Sequence, residues 1–194
     1  YKFVDWLESA HQTLWQILPI GPTGYGDSPY QSFSTFAGNP YYIDLELLIG
    51  EGYLTAEICD SFDFGDHEHY IDYEKIYLSR FKVLEIAFEN AKKAGLTETE
   101  EYQQFLAQNA YWLDDYALYM AVKNAFGGVC FMEWDEDIRL RKAAALRKYR
   151  KKLAEEIAFY QFQQYLFAKQ WKELKSYANK KGIEIVGRSE GAHV

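Results

Sequence analysis

The sequence contains few cysteines and confines its prolines to one end. Only two of its 194 residues are cysteine, Cys59 and Cys130, which excludes a disulfide framework, and neither has neighbours at the spacing of a zinc site. We expect both to be reduced, buried thiols in a cytoplasmic protein. No proline occurs beyond residue 40, so long helices are free to form there. All four prolines precede that point: Pro19, Pro22, Pro29 and Pro40.

Long hydrophobic runs and an excess of positive charge are also missing. No stretch of about 18 apolar residues occurs, so no membrane-spanning helix is predicted. The 21 basic side chains are outnumbered by 29 acidic ones, and the net charge of −8 disfavours binding to nucleic acid. The first residue is Tyr1 rather than Met, and no signal peptide is visible. We therefore expect a cytoplasmic protein with neither a nucleic-acid nor a membrane partner.

Aromatic residues are what the sequence has in excess. They make up 18% of the chain, whereas 48% hydrophobic and 26% charged residues are close to the averages of globular proteins. The excess indicates either a heavily aromatic core or flat surfaces that stack on a ligand. Helical spacing places several of these residues on predicted core-facing sides: Phe3, Trp6, Tyr77, Phe81, Tyr111, Trp112, Tyr116 and Tyr119. Any of the last four also suits the wall of a cleft.

Hydrophobic spacing further predicts two short buried strands separated by a long, mostly helical region. The first strand, over residues 15–20, follows an amphipathic helix. The second, over 183–187, follows a long helix that is apolar around much of its circumference and is capped by Gly182. Within the helical region, Gly95 is predicted to end one helix and a capping box at 97–100 to begin the next. This order of elements fits an α/β protein.

Residues 21–40 are predicted to form a long irregular loop, and they are the best candidate for a site. The loop leaves the first predicted strand at its carboxyl end, where α/β proteins bind ligands. Its tyrosine rings suit the apolar faces of sugars, and its carboxylate, hydroxyl and amide groups suit sugar hydroxyls. The alternative is ordinary turn chemistry around Asp27-Ser28-Pro29, and composition does not decide between the two. The loop lacks the Lys-Ser/Thr ending of a phosphate-binding loop.

Two charged regions are better explained as solvated surface than as sites. Residues 60–72 are acidic and contain two histidines, but their spacing fits neither a calcium loop nor a zinc site. Residues 139–152 are basic, and Lys151 and Lys152 are spaced to pair with Glu155 and Glu156 on one helix. No serine or cysteine triad and no pair of catalytic carboxylates is recognisable.

A family resemblance is carried by one long motif and several short ones. The long motif covers residues 15–40 and is WQILPIGPTGYGDSPYQSFSTFAGNP. The short motifs are IDL at 43–45, IDY at 71–73, NAYWLDDYAL at 109–118, QYLF at 164–167 and QW at 170–171. In these motifs the sequence resembles the amylomaltases, which are the 4-alpha-glucanotransferases or disproportionating enzymes of glycoside hydrolase family 77. The resemblance extends from about residue 3 to residue 187.

The fold that this resemblance implies is an α/β fold, a partial (β/α)8 TIM barrel of the glycoside hydrolase type with a large, mostly helical insertion. A barrel helix and strand are expected in residues 1–22, and a second barrel helix and strand in 136–187. The active-site loop and the helical insertion subdomain are expected between them, in 23–135. Residues 188–194 depart from the family pattern, and our hypothesis is that this atypical tail comes from a frameshift or a truncated gene.

The activity that the resemblance implies is transfer of α-1,4-glucan segments to the 4-hydroxyl of an acceptor glucan or glucose. The family reaction is a retaining double displacement through a covalent glycosyl-enzyme. Its three catalytic carboxylates lie beyond the matched region, so no catalytic residue is expected here and the chain alone should be inactive. The expected ligands are maltooligosaccharides or starch-like α-glucans, with no metal or organic cofactor. A non-catalytic glucan-binding or helical interaction module and an inactive truncated product remain as alternatives.

The resemblance also implies six substrate-binding residues: Tyr25, Asp27, Ser28, Tyr30, Gln31 and Tyr77. By motif position, Tyr25 matches a tyrosine that borders the active cleft. Ser28 and Tyr30 match residues that contact bound sugar, and the other two loop residues belong to the same motif. Tyr77 matches an aromatic residue of a second glucan-binding groove on the insertion.

Overall fold

A computed structural model describes residues 1–24, 28–67 and 69–187, and most of this part is helical. The strands are β1 (Leu14–Ile17) and β2 (Glu184–Gly187), and short 3-10 turns lie at Pro40–Tyr42, Leu96–Glu98 and Phe131–Glu133. The helices are α1 (Lys2–Ser9), α2 (Leu45–Gly50), α3 (Ala56–Asp60), α4 (Tyr73–Lys93), α5 (Glu100–Ala125), α6 (Glu136–Arg139), α7 (Ala143–Lys152) and α8 (Ala154–Lys180). The tail at 188–194 lies outside the described residues.

The two strands pair in parallel, with Leu14 opposite Glu184 and Ile17 opposite Gly187. A parallel pair needs a long crossover, and the helical region between the strands provides it. The predicted order of helix, strand, helical region, helix and strand is confirmed. β1 nevertheless ends at Ile17 rather than at residue 20, because Pro19 has no N–H to donate to a neighbouring strand.

Helix boundaries in the middle of the chain follow local capping. Gly95 comes just after α4 and has a φ of 81°, a conformation that glycine adopts without strain. The hydroxyl of Thr99 accepts a hydrogen bond from the Tyr102 N–H at 3.3 Å and so begins α5. The predicted capping box at 97–100 is therefore wrong in register, because Thr97 lies in the preceding 3-10 turn.

By its internal contacts the chain divides into two units, one of residues 88–165 and the other combining 1–87 with the residues from 166 onward. In the combined unit, α1 packs Val4 and Leu7 against Ala178 of α8 and Ile183, and all four side chains are buried. The Lys181 ammonium adds an ion pair to Asp5 at 3.0 Å. These contacts fix the first helix next to the pair of strands.

The predicted core-facing side of α1 is wrong in part. Phe3 and Trp6 are 48% and 59% exposed, whereas Val4 and Leu7 are buried. The two exposed rings stack on each other at 5.6 Å, and Phe3 also contacts Trp15 edge-on at 5.2 Å. The helix is apolar on two sides, so spacing alone does not identify the side that is buried.

The unit of residues 88–165 has its own core, built on α5, α7 and the start of α8. Tyr116 and Trp112 lie on or near this core as predicted, but Tyr111 is 74% exposed. Cys59 is only half-buried and Cys130 is exposed, so the expectation that both thiols are buried is wrong. Cys130 immediately precedes the 3-10 turn at Phe131–Glu133, so it is not covered by the apolar face of a helix.

The break between α7 and α8 overturns another prediction. α7 ends at Lys152 and Leu153 has φ −111°, so the two helices are not continuous. Glu155 therefore contacts Lys92 rather than Lys151. The basic residues Arg141 and Arg150 instead contact the Asp115 carboxylate, at 2.8 and 3.5 Å. The region still behaves as a solvated, ion-paired surface, because these side chains are about half exposed.

The long helix α8 matches its prediction more closely. Its five residues at 162–166 are all buried, as expected for a helix that is apolar around much of its circumference. At the next position, the ring of Phe167 lies against the backbone of Gly38: a Cβ built at Gly38 would be 2.0 Å from Phe167 Cδ1. The end of the 21–40 loop is thus seated on α8 through a glycine.

We predict that Gly38→Ala lowers the free energy of unfolding of the 194-residue chain by about 1–3 kcal/mol, because the added methyl overlaps the Phe167 ring. Gly50→Ala is the matched control, since no atom lies within 4 Å of a Cβ built there and alanine favours the helix. Urea unfolding followed by circular dichroism measures both. Equal effects of the two substitutions would contradict the close packing at Gly38.

Candidate functional site

The 21–40 loop is a folded hairpin rather than an open tether. At its base, the Asn39 N–H donates to the Ile20 carbonyl at 2.9 Å. Higher up, Thr23 and Ser32 form an antiparallel bridge. The hydroxyl of Ser34 accepts hydrogen bonds from the N–H groups of two following residues, at 3.1 and 3.3 Å. Several backbone groups in the described part of the loop are thereby satisfied within the loop itself.

Three of the predicted loop residues, Ser28, Tyr30 and Gln31, lie in the described part of this hairpin. Tyr25 and Asp27 lie outside the described residues, so the structure says nothing about them. The Gln31 N–H donates to the Ser28 carbonyl at 3.1 Å, which closes a turn. Gln31 is exposed, Ser28 is half-buried and the Tyr30 side chain is 61% exposed. A turn is therefore present at residues 28–31, with the Tyr30 ring exposed, whereas the turn expected around Asp27 involves a residue outside the described part of the chain.

At the end of the loop, residues 39–44 form a short strap between α4 and α8 that includes the 3-10 turn Pro40–Tyr42. The Arg80 guanidinium of α4 donates from Nη1 to the Ile43 carbonyl at 2.9 Å and from Nη2 to the Tyr41 carbonyl at 3.1 Å. From α8, the Gln170 amide accepts from the Asp44 N–H at 2.7 Å and donates to the Asp44 carbonyl at 3.2 Å. Two side chains therefore bind the strap through its backbone.

Arg80 is held among groups that leave it little freedom. Its guanidinium lies 5.7 Å from the centre of the Phe64 ring, in a cation–π contact. Burial lowers the pKa of Arg80, and the nearby Asp44 carboxylate opposes that shift. The group stays charged because the ordinary pKa of arginine is far above neutrality. In the described part of the chain, its Nε is buried without a hydrogen-bond partner, so the two carbonyls are its principal ligands.

The first turns of α4 and the strap together present an aromatic surface. Tyr77 packs edge-on against Phe81 at 5.5 Å, and Phe81 also contacts Tyr41 at 6.1 Å. The Tyr77 side chain is nevertheless 59% exposed, so the predicted core-facing position is wrong. The buried apolar side chains of α4 begin later, at Val83. An exposed ring supported from behind is suited to stacking on a ligand.

The four predicted residues that the structure describes fall into two groups. Ser28, Tyr30 and Gln31 lie together at the hairpin tip, while Tyr77 lies on α4. The strap joins the two groups along the chain, because it begins where the hairpin closes and ends on the residues that Arg80 and Gln170 bind.

The acidic 60–72 region is the part of the chain where carboxylates and histidines are most concentrated in sequence. The Asp63 carboxylate contacts the Lys75 ammonium at 2.8 Å and accepts from the Gly65 N–H at 2.9 Å. These contacts lower the pKa of Asp63, the lysine hydrogen bond having the largest effect. Within residues 1–24, 28–67 and 69–187, no three His, Cys, Asp or Glu side chains come together as metal ligands. The described helices also include none that is long and apolar enough to cross a membrane.

Comparison with known proteins decides the family. The family profile described as 4-alpha-glucanotransferase matches residues 1–189. The chain belongs to this family. It is 46% identical over 187 residues to the 4-alpha-glucanotransferase of Clostridium butyricum, and 46% identical over 186 residues to that of Thermus thermophilus. It also superposes, with a TM-score of 0.89 and 43% identity, on an amylomaltase from Streptococcus agalactiae solved in complex with acarbose.

Coverage is unequal in these comparisons. Each alignment includes 95–96% of this chain, but only 38% of the Clostridium butyricum protein, 36% of the Thermus thermophilus protein and 38% of the Streptococcus agalactiae chain. The chain thus spans a little over a third of the length of these 4-alpha-glucanotransferases. The family resemblance noted in the motifs is confirmed.

Sequence reasoning missed the strap and the residues that hold it. Arg80 was not singled out, because an arginine within an amphipathic helix is usually solvated. Tyr73 and Tyr77 are four residues apart, a spacing that places both on one side of α4, and that signal was available. The sequence could not show which side of α4 is exposed, since this depends on where Tyr41 and the rest of the strap pack.

We predict that Arg80→Met lowers the free energy of unfolding by about 2–4 kcal/mol, because the Tyr41 and Ile43 carbonyls lose charge-assisted donors. Arg80→Lys should recover only part of the loss, since an ammonium lacks the planar fork that reaches both oxygens. Lys82→Met is the control, as Lys82 is an exposed cation on the same helix. Urea unfolding of the three variants tests this, and equal stability of Arg80→Met and Lys82→Met would contradict it.

Proposed function

We propose that this chain is the N-terminal portion of a 4-alpha-glucanotransferase and supplies glucan-binding surfaces, while the catalytic carboxylates lie elsewhere in a longer polypeptide. The observation that carries the proposal is the 46% identity over 96% of this chain to 38% of a relative of that name. The folded hairpin with Tyr30 exposed at its tip is consistent with a sugar-contacting loop.

The strand pair supports membership of a larger barrel. A two-stranded sheet is marginal alone, and parallel strands normally occur in sheets whose faces are covered. Here Leu14 of β1 is 60% exposed, and Leu18 and Val186 are also exposed. We take 1–22 and 136–187 as helix-and-strand segments of a partial (β/α)8 barrel, and 23–135 as the active-site loop and helical insertion.

The proposed reaction is transfer of an α-1,4-glucan segment to the 4-hydroxyl of an acceptor, with retention of configuration. Tyrosine rings of the loop and of α4 would stack on glucose units, and the Ser28 hydroxyl and Gln31 amide would hydrogen-bond their hydroxyls. Tyr25 and Asp27 are proposed for the same loop on motif position alone. Such contacts bind and orient a glucan, but no glycosyl intermediate forms without a nucleophile and an acid/base.

We predict that the 194-residue chain binds maltoheptaose saturably but releases no glucose from maltotriose. Tyr30→Ala and Tyr77→Ala should each weaken maltoheptaose binding about three- to tenfold, the range expected for the loss of one stacking contact. Isothermal titration calorimetry measures the binding, and a glucose assay measures turnover.

Tyr111→Ala is the control for these variants, because Tyr111 is an exposed tyrosine of α5 in the other unit. Glucose release by the purified chain would contradict the placement of the catalytic groups outside it. Lack of saturable binding would contradict the glucan-binding role and favour an inactive truncated product. A non-catalytic glucan-binding module would also bind without turnover. To distinguish it from a portion of an enzyme, the chain is joined to the remaining two thirds of a relative, and glucan transfer is restored only if the chain is a portion of an enzyme.

A further inference from the structure

Exposed apolar side chains are concentrated after α5, in the unit of residues 88–165. Phe131 and Met132 of the 3-10 turn are 45% and 59% exposed, and Leu140, which directly follows α6, is 57% exposed. Single exposed apolar residues are common on folded proteins, whereas neighbouring ones mark sites of interaction. These three residues belong to the unit that contains none of the proposed sugar-binding residues.

Contacts within this unit bring the three side chains to one part of its surface. Arg139 donates from Nη1 to the Met132 carbonyl at 3.1 Å, so Leu140, the next residue after Arg139, lies close to Met132. The Phe131 ring contacts the buried Trp134 ring edge-on, with 6.5 Å between their centres. The apolar residues are thus supported by the core of the unit rather than carried on a loose segment.

The backbone around Leu140 is fixed as well. Its N–H donates to the Glu136 carbonyl at 2.9 Å. The next residue, Arg141, has a φ of 55°, which is uncommon for a residue other than glycine. Its guanidinium donates from Nη2 to both oxygens of the Asp115 carboxylate at 2.8 Å, which anchors this residue to α5. Leu140 is therefore exposed on a defined backbone, which limits the entropy lost when a partner binds.

The helix that follows, α7, places positive charge beside these apolar residues. Residues 139–152 contain eight Lys and Arg residues and no carboxylate. The Tyr149 hydroxyl donates to the Asp135 carboxylate at 3.3 Å and so connects α7 to the segment before α6. Because Ala145 and Tyr149 are buried, the opposite side of α7 carries Arg147 and Lys151, which are exposed. In the described part of the chain, the ion pairs of 139–152 involve neither of these two cations.

The positive charge on α7 exceeds what stabilises the helix. Arg147 and Lys151 are a like-charge pair four residues apart, and so are Lys148 and Lys152. Such pairs lower the stability of a helix. Cations favour the carboxyl end of a helix only within its last turn, which here begins after Lys148. A partner that carries carboxylates would replace this repulsion with attraction.

We infer that the 88–165 unit binds an acidic segment of another protein through a docking surface formed by Phe131, Met132, Leu140, Arg147 and Lys151. Apolar side chains of the segment would cover the three apolar residues, and its carboxylates would pair with the two cations. Aromatic residues, methionine and arginine are enriched at protein interfaces, and complementary charge selects the partner and speeds its association. The docking surface is independent of the proposed glucan binding.

An acidic protein segment suits the docking surface better than an anionic membrane does. A membrane presents negative charge over a wide area, and the net charge of −8 on the chain opposes its approach. The exposed Glu133 directly follows Met132, so a uniformly negative surface would meet a carboxylate beside the apolar residues. A short segment, in contrast, can place its carboxylates at α7 and its apolar side chains at the 3-10 turn.

The test titrates a synthetic amphipathic peptide, with leucines on one side of a helix and glutamates on the other, into the 194-residue chain. We expect calorimetry to show saturable binding that is about tenfold weaker at high than at low salt, because the charges involved are exposed. The same peptide with glutamine in place of every glutamate should bind about tenfold more weakly at low salt. Equal binding of the two peptides would overturn the inference, and so would a lack of binding of the glutamate peptide.

Two variants of the chain locate the binding. Arg147→Glu combined with Lys151→Glu should weaken binding of the glutamate peptide about tenfold and remove most of its salt dependence, because the attraction becomes repulsion. Phe131→Ser combined with Met132→Ser should weaken binding about three- to tenfold and leave the salt dependence unchanged, because no charge is altered. Circular dichroism melting checks that both variants are folded.

Lys82→Glu and Leu78→Ser are the matched controls, because both residues are exposed on α4 in the other unit. Both controls should bind the glutamate peptide like the wild type, and losses as large as those of the docking-surface variants would overturn the assignment to this surface. The docking-surface variants should bind maltoheptaose like the wild type. Failure of this inference is therefore distinguishable from failure of the proposed function.

Other occupants of the docking surface give different results, and each of these results would overturn the inference. Binding to vesicles of phosphatidylserine and phosphatidylcholine without peptide binding would identify a lipid surface. Self-association in analytical ultracentrifugation that is lost in the docking-surface variants would identify a second copy of the chain. Loss of peptide binding when the chain is joined to the remaining two thirds of a relative would show that the rest of the polypeptide covers this surface.

Discussion

The contact on which the strap and the neighbouring hairpin depend is that between the Arg80 guanidinium and the carbonyls of Tyr41 and Ile43. Among the described residues no carboxylate is bound to the Arg80 guanidinium. Partial burial of a cation costs free energy unless other polar groups replace its bound water, and the strap supplies two carbonyl oxygens for this purpose. The strap closes its own 3-10 turn, in which the Tyr42 N–H donates to the Asn39 carbonyl at 3.1 Å and the Ile43 N–H to the Pro40 carbonyl at 3.2 Å, and Arg80 binds the carbonyls of Tyr41 and Ile43. The arginine donors and the strap carbonyls therefore satisfy each other's hydrogen bonds. Gln170 bonds the backbone N–H and carbonyl of Asp44 at the end of the strap.

Because the strap begins where the 21–40 hairpin closes, the same contact constrains both groups of proposed sugar-binding residues. Asn39 closes the hairpin by donating to Ile20 and, through its side chain, orients Tyr41. Gly38, one residue earlier, lies so close to Phe167 that the hairpin base has no room to shift towards α8. A displacement of the strap would move the hairpin base and the Tyr42 ring together. Rigid support of this kind is what a binding site on a loop needs.

Local signals in the sequence were sufficient to predict where helices and strands lie, but insufficient to predict which side chains are exposed. Pro19, Gly95 and Gly182 mark boundaries because their backbone chemistry acts within a few residues, and the two strands and α8 lie close to where they were predicted. The exposure of Phe3, Tyr77 and Tyr111 depends instead on what packs nearby. Motif resemblance identified Tyr30 and Tyr77, but Arg80 acts on the backbone of residues 37 and 39 positions away, and no spacing rule reaches that far.

The exposed apolar residues near the strands follow from the same reasoning about partners. α1 buries Val4 and Leu7 on one side while Phe3 and Trp6 stack on another, and a helix that is apolar on two sides normally packs between two layers. In the described residues, β1 pairs with β2 and with no other strand. The chain matches a little over a third of its relatives' length. Taken together, these facts are consistent with our proposal that the exposed apolar side is where the rest of a longer polypeptide packs.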